Sequence, residues 1–181
     1  YQEVAARNAS AFAFEVLSKF KIRWIMSKRL KNQARQIIEE FTKEIIDARI
    51  EISNNEPIKF RDDKYTNKIR KAYKVPIELL RYRKDNGRIA SDVMTYEKSK
   101  GPLNETTDFG QSELKRFLLQ KDPDPTEELK KQIIKDGQED PAIITADGFL
   151  INGNRRKMVL ENLLEENRGD ETYKYLKVCL L

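Results

Sequence analysis

The chain has 181 residues, 39% of them hydrophobic and 36% charged, with a net charge of +5 and a pI of about 9.1. A chain of this length makes one domain, or a small domain with an extension, and its apolar periodicity marks a folded protein rather than a disordered one. The absence of histidine excludes His bases, His zinc ligands and Ser-His or Cys-His catalysis, and a single cysteine, Cys179, excludes an internal disulfide.

No apolar run approaches the length of a membrane span and no signal peptide is evident, so the expected location is a reducing cytoplasm, with no membrane partner. The chain opens on Tyr1 rather than methionine, and residues upstream of it are expected. The basic excess suits a nucleotide or nucleic-acid partner.

Residues 11 to 50 read as helix, because no Gly or Pro occurs between Tyr1 and Glu56 and an apolar stripe runs through Leu30, Ala34, Ile37, Ile38, Phe41, Ile45 and Ala48. Between Val16 and Ile38 the charges are Lys19, Lys21, Arg23, Lys28, Arg29, Lys31 and Arg35, with no acid among them. This run, with Phe20 and Trp24, reads as a DNA-backbone surface with an aromatic to stack, or as the solvated face of a helix whose aromatics pack inward. The same helices offer a homodimer contact. "SNNEP", 53 to 57, breaks the pattern and divides the chain into a helical region, 1–56, and a second domain, 57–181.

Residues 64 to 74 are basic (Lys64, Lys68, Arg70, Lys71, Lys74) and read as a short helix or linker. "YKVPIELLRY" reads as a short strand or turn that buries Ile77, Leu79 and Leu80, and Asn86-Gly87 is a turn signal. Residues 91 to 108 fit no single pattern, and "KGPLNETTD" reads as an exposed loop. "QSELKRFLLQ" is helical, with Leu114, Phe117 and Leu118 on one side. In "DPDPTEELKKQIIKDG", Asp124 can cap, Pro125 suits the first helical position, Glu127 completes a capping box and Gly137 suits the left-handed end. "PAIIT" and "FLIN" read as strands joined by an Ala-Asp-Gly turn, Arg155 to Glu166 as a helix, and "YLKVCLL" as a last strand that buries Cys179. Helix, strand, strand, helix, strand implies a compact α/β unit on a mixed sheet.

"INGNRR", 151 to 156, places a glycine, an asparagine and two arginines where a strand hands over to a helix. Glycine lets a ligand approach the backbone closely, and the first amides of the helix and its dipole favour an anion. Arg155 and Arg156 add forks that match phosphate oxygens, and Asn154 can cap the helix or bond the ligand. The plainer alternative is a hairpin followed by a helix with solvated basic residues.

The surrounding "LKKQIIKDGQEDPAIITADGFLINGNRRKMVLENL" resembles the ParB/sulfiredoxin superfamily, whose pattern is helix, G-x-x-x-P, strand, D-G turn, strand and G-E-R-R opening a helix. Gly137 and Pro141 match the G-x-x-x-P element, Gly153, Arg155 and Arg156 match G-E-R-R, and "VPIELLRYRKDNGR" is similar to the family's first motif, with Arg88 at its final arginine. The resemblance covers residues 75 to 181. It implies an α+β, ParB/sulfiredoxin-like mixed sheet with packed helices behind a helical N-terminal region. It also implies a nucleotide pocket made from Arg88, Gly137, Gln138, Gly153, Asn154, Arg155 and Arg156, for a triphosphate such as CTP or ATP with Mg²⁺ as its companion.

Asn154 departs from the family, which places Glu or Cys there. A neutral amide takes no proton at pH 7, so the resemblance carries binding further than hydrolysis. The expected function is a ParB-like nucleotide-binding domain acting on or with DNA, with NTPase activity left open. The alternatives are a metal-dependent nuclease of the same family, for which Glu139 is the candidate ligand, and a non-enzymatic DNA-binding or assembly module. Glu139 and Asp140 otherwise read as a solvated loop, Asp122, Asp124 and Asp147 as capping or turn residues, and Tyr82 and Tyr96 as packing or base-stacking rings.

Overall fold

The computed structural model describes residues 35–58, 68–121, 123–167 and 170–181. The chain divides into two units between Gln36 and Ile37. In the second unit the described residues form five α-helices and a five-stranded mixed sheet: α1 Glu39–Ala48, β1 Ile50–Ile58, β2 Lys68–Pro76, α2 Ala90–Lys100, α3 Asp108–Lys121, α4 Pro123–Asp136, β3 Ala142–Ile144, β4 Leu150–Asn152, α5 Asn154–Glu166 and β5 Tyr175–Leu180. The sheet order is β1-β2-β5-β3-β4, antiparallel throughout except for the parallel pair β3 and β5.

Among the described residues the helix expected over 11–50 spans only Glu39–Ala48, and Ile38 ahead of it is extended. Arg49 is extended, and β1 pairs with β2 in a register that shifts between Ile52 and Asn55. Ser, Asn and Pro are poor helix formers, and "SNNEP" therefore lies within a strand that accommodates it by an irregular register. The sheet thus extends the second unit across the boundary expected at residue 56. The basic stretch read as a short helix or linker enters β2. Its apolar alternation (Ile69, Tyr73, Val75) was hidden by the lysines and arginine between.

α1 is joined to the later part of the chain. The Ile38 amide donates to Asp147 Oδ2 at 3.0 Å, and Asp147 Oδ1 accepts from the Thr145 hydroxyl at 2.6 Å. Asp147 is fully buried, in the turn where Gly148 takes φ +80, and it satisfies an amide ahead of α1 from 109 residues away. Acidic Glu39 and Glu40 in the first turn suit the positive end of this helix.

α4 begins at Pro123, two residues before the expected Pro125. Both prolines fall in the first turn, where their missing N–H groups cost nothing. The stretch left unassigned from residue 91 is helical as far as Lys100.

One core cluster joins the sheet to the helices through Val75, Ile144, Val178, Val93, Leu114, Phe117 and Leu163. The alternate residues Ala72, Ile143 and Cys179 form a second, smaller cluster, as the two-residue period of a strand requires. Cys179 is fully buried and its thiol is pushed up from its ordinary value by burial. No described helix is long and apolar enough to cross a membrane.

Candidate functional site

The turn from β4 into α5 is held by a glycine that nothing larger can replace. Gly153 has φ +92, and a Cβ there would stand 2.4 Å from the Ala142 Cβ on neighbouring β3. Its N–H donates to the Asn152 side-chain oxygen at 2.6 Å, and its carbonyl accepts the Lys157 amide at 3.0 Å, the bond that starts the helix. α5 has no side-chain cap and no acid in its first turn, which holds Asn154, Arg155 and Arg156. Arginines at the positive end of a helix oppose its dipole, whereas a bound anion there would reverse the sign of the interaction.

A cleft of about 330 Å³ opens over this corner. Arg88, Gly153, Asn154, Arg155 and Arg156 all line it, so five of the seven residues named from the resemblance meet. Asn86, Lys121, Asn152 and the apolar Leu118, Leu129, Ile151 and Met158 complete the described lining. Its size is that of a small-molecule site. Arg88 is presented by the Asn86-Gly87 turn, in which the Asn86 side-chain oxygen accepts the Arg88 amide at 3.1 Å and its carbonyl accepts the Ile89 amide at 3.0 Å. Lys121, at the end of α3, is 3.1 Å from Asp92; its part in the cleft carried no signal in the sequence, because it follows from how α3 packs.

Asn154 is 7% exposed, and its Oδ1 has no hydrogen-bond partner among the described residues. A buried amide acceptor left this way is costly, and it stands on the first residue of α5 beside the cleft.

Arg156 faces two ways. Its Nη1 donates to the Asp140 carbonyl at 3.0 Å and its Nη2 lies 3.9 Å from the Asp140 carboxylate. Burial lowers its pKa from the ordinary arginine value, with Asp140 pulling the other way. It thereby joins α5 to the loop that follows α4, and it also lines a smaller neighbouring cleft of about 90 Å³ together with Gly137 and Gln138.

Gln138 is committed to backbone. Its Nε2 donates to the carbonyls of Asp140 at 2.9 Å and Lys177 at 2.8 Å, while its Oε1 accepts the Lys177 amide at 2.7 Å. It fastens the loop to β5, and neither it nor Gly137 lines the larger cleft among the described residues.

Mg²⁺ takes oxygen ligands, usually one or two carboxylates together with phosphate oxygens. The Glu139 carboxylate accepts from Gln132 Nε2 at 3.1 Å in the smaller cleft. The described lining of the larger cleft offers only the amide oxygens of Asn86, Asn152 and Asn154, and no group of three His, Cys, Asp or Glu among the described residues could hold a metal ion. The described residues do not fit a protein-held Mg²⁺ site.

Behind the cleft lies a buried polar cluster that the sequence reading missed. The Tyr82 hydroxyl donates to Glu161 Oε2 at 2.7 Å, Lys115 Nζ stands 3.1 Å from the same oxygen, and Lys157 Nζ donates to Glu161 Oε1. Lys157 also lies over the Tyr82 ring, 4.3 Å from its centroid, a cation–π contact. Tyr82 is 2% exposed and Lys157 4%. Burial, reinforced by Glu161, pushes the Tyr82 phenol well above its ordinary value. Burial lowers the Lys157 ammonium although Glu161 opposes it. Burial alone would raise the Glu161 carboxyl, but Lys157, Tyr82 and Lys115 together hold it below the usual carboxylate value. The i to i+4 spacing of Lys157 and Glu161 was visible, but on a helix it reads as a surface pair.

Of the basic run proposed for DNA, only Arg35 lies within the described residues; Lys19, Lys21, Arg23, Lys28, Arg29 and Lys31 lie outside them. Tyr96 packs edge-on against Phe117, with ring centroids 5.9 Å apart.

The fold and the cleft describe an α+β chain with an arginine-lined concavity at a glycine corner. No family model matches the chain, and neither a curated protein nor a solved structure matches it.

Proposed function

We propose that this chain is a ParB-like nucleotide-binding domain that acts on or with DNA, and that it holds the phosphates of a nucleoside polyphosphate at the Gly153 corner. The observation that carries the reading is the convergence of Arg88, Lys121, Arg155 and Arg156 on one cleft at the uncapped start of α5. Guanidinium forks and helix amides suit phosphate oxygens. Leu118, Leu129, Ile151 and Met158 give the cleft apolar surface against which a sugar or base can lie.

Each part has a separate task. Gly153 keeps the backbone low so that the ligand meets the first amides of α5. Arg88, from the loop after the Asn86-Gly87 turn, and Arg155 neutralise phosphate charge. Arg156 holds its loop through the Asp140 carbonyl while contributing its charge to the cleft. Asn154 offers an uncharged acceptor that accepts no proton at pH 7, so the reading is binding rather than hydrolysis.

Titration calorimetry of the wild-type chain with CTP, ATP, GTP and inorganic tripolyphosphate tests this. Saturable binding of at least one nucleotide is expected, weakened at least tenfold by Arg155→Ala. Absence of heat with all four would sink it.

A further inference from the structure

Three of the elements that line the cleft are the loop from Arg81 to Ile89, which carries Asn86 and Arg88; α3, which carries Leu118 and Lys121; and α5, which carries Asn154 to Arg156 and Met158. All three are fastened to one carboxylate. Glu161 lies two turns along α5 from Asn154, and it receives the Tyr82 hydroxyl from the loop, Lys115 from α3 and Lys157 from its own helix. Tyr82 is clamped at its backbone as well. Its amide donates to Gln111 Oε1 at 2.7 Å and its carbonyl accepts Gln111 Nε2 at 2.9 Å, both from α3. Two residues on, the Lys84 amide donates to Glu105 Oε2 at 2.8 Å. The base of the loop is therefore fixed, and the phenol is the link that ties it to the helix bearing the arginines.

We propose that Tyr82, through Glu161, is a positioning residue that sets the distance of Arg88 from the Gly153 corner and so the fit of the cleft to a polyphosphate. This rests on the nucleotide reading of the cleft. Tyr82 itself touches no ligand. Its ring is buried against Lys157, outside the described lining of the cleft, and its effect passes through the loop. A hydrogen bond to a charged acceptor constrains geometry, and without the phenol Glu161 keeps Lys115 and Lys157, so what is lost is the tie to the loop.

The test is a double-mutant cycle on the full chain with inorganic tripolyphosphate and ATP as probes, each variant also being melted in urea. Tyr82→Phe keeps the ring and removes only the hydroxyl. It is expected to weaken binding about three- to tenfold in the arginine-containing protein and to have no further effect once Arg88 is Ala. A purely structural hydroxyl would lower the urea midpoint in both backgrounds but leave the affinity of the folded protein unchanged. Glu161→Gln, which removes the charge from the acceptor of the same hydrogen bond, gives the same comparison if Tyr82→Phe folds poorly.

Wild-type binding that Tyr82→Phe leaves unchanged, or a loss equal in both backgrounds, overturns the positioning role while the nucleotide reading stands. No binding by the wild type overturns both.

Discussion

Ala142 on β3 and Gly153 at the start of α5 are packed so closely that the glycine has no room for a side chain: its Cβ would stand 2.4 Å from that of Ala142. The contact sets how near α5 begins to the sheet, and hence where its first amides point. Gly153→Ala is expected to cost about 2–5 kcal/mol, from left-handed strain of about 1–2 kcal/mol and overpacking of about 1–3 kcal/mol. Gly137→Ala, at φ +76 with nothing within 4 Å of a new Cβ, should show only the strain. Urea unfolding of the two variants compares them, and equal losses would contradict the packing argument.

Arg155 and Arg156 are neighbours with different duties. Arg155→Ala is expected to lose polyphosphate affinity at least tenfold. Arg156→Ala should lose affinity and also about 1–2 kcal/mol of stability, because the Asp140 carbonyl loses its charged donor. Calorimetry and urea melts on both proteins separate the effects.

Gln138 stands with the phosphate ligands by resemblance, yet its amide is bonded to backbone at both ends. Gln138→Ala is expected to destabilise the chain by about 1–3 kcal/mol and to leave tripolyphosphate affinity within twofold. A tenfold loss of affinity in a stably folded variant would return Gln138 to the site.

Glu161 makes stability depend on acid. Its folded pKa lies below the ordinary 4.5, so between the two values the unfolded chain binds more protons. Its contribution is complete above the unfolded value and is lost as pH falls from about 4.5 through the folded pKa. Glu161→Gln should lower stability at neutral pH and flatten that acid limb. Parallel limbs in urea melts from pH 6 to pH 3 would assign the acid sensitivity elsewhere.

The C-terminal half was the more legible part of the sequence. Leu114, Phe117 and Leu118 are buried together as their spacing required, and the strands around the Asp147-Gly148 turn and the helix after Gly153 fall where turn chemistry and period placed them. The first half was harder. β1 carries "SNNEP" through an irregular register, and in β2 basic residues interrupt the apolar alternation, so neither presents a strand pattern until the other is beside it.

By itself the sequence determined the β3–β4 hairpin, the helix after it, β5 and the glycine-arginine corner, because capping, turn preference and period two or 3.6 act over a few residues. Only the tertiary structure decided which of those residues share a cleft. Arg88 and Lys121 reach Gly153 through the packing of a loop and of α3, while Gln138 is drawn away to β5. It also turned Lys157 and Glu161 from a surface pair into one with a buried lysine and a half-buried carboxylate, since burial is set by what packs over a helix and not by the helix itself.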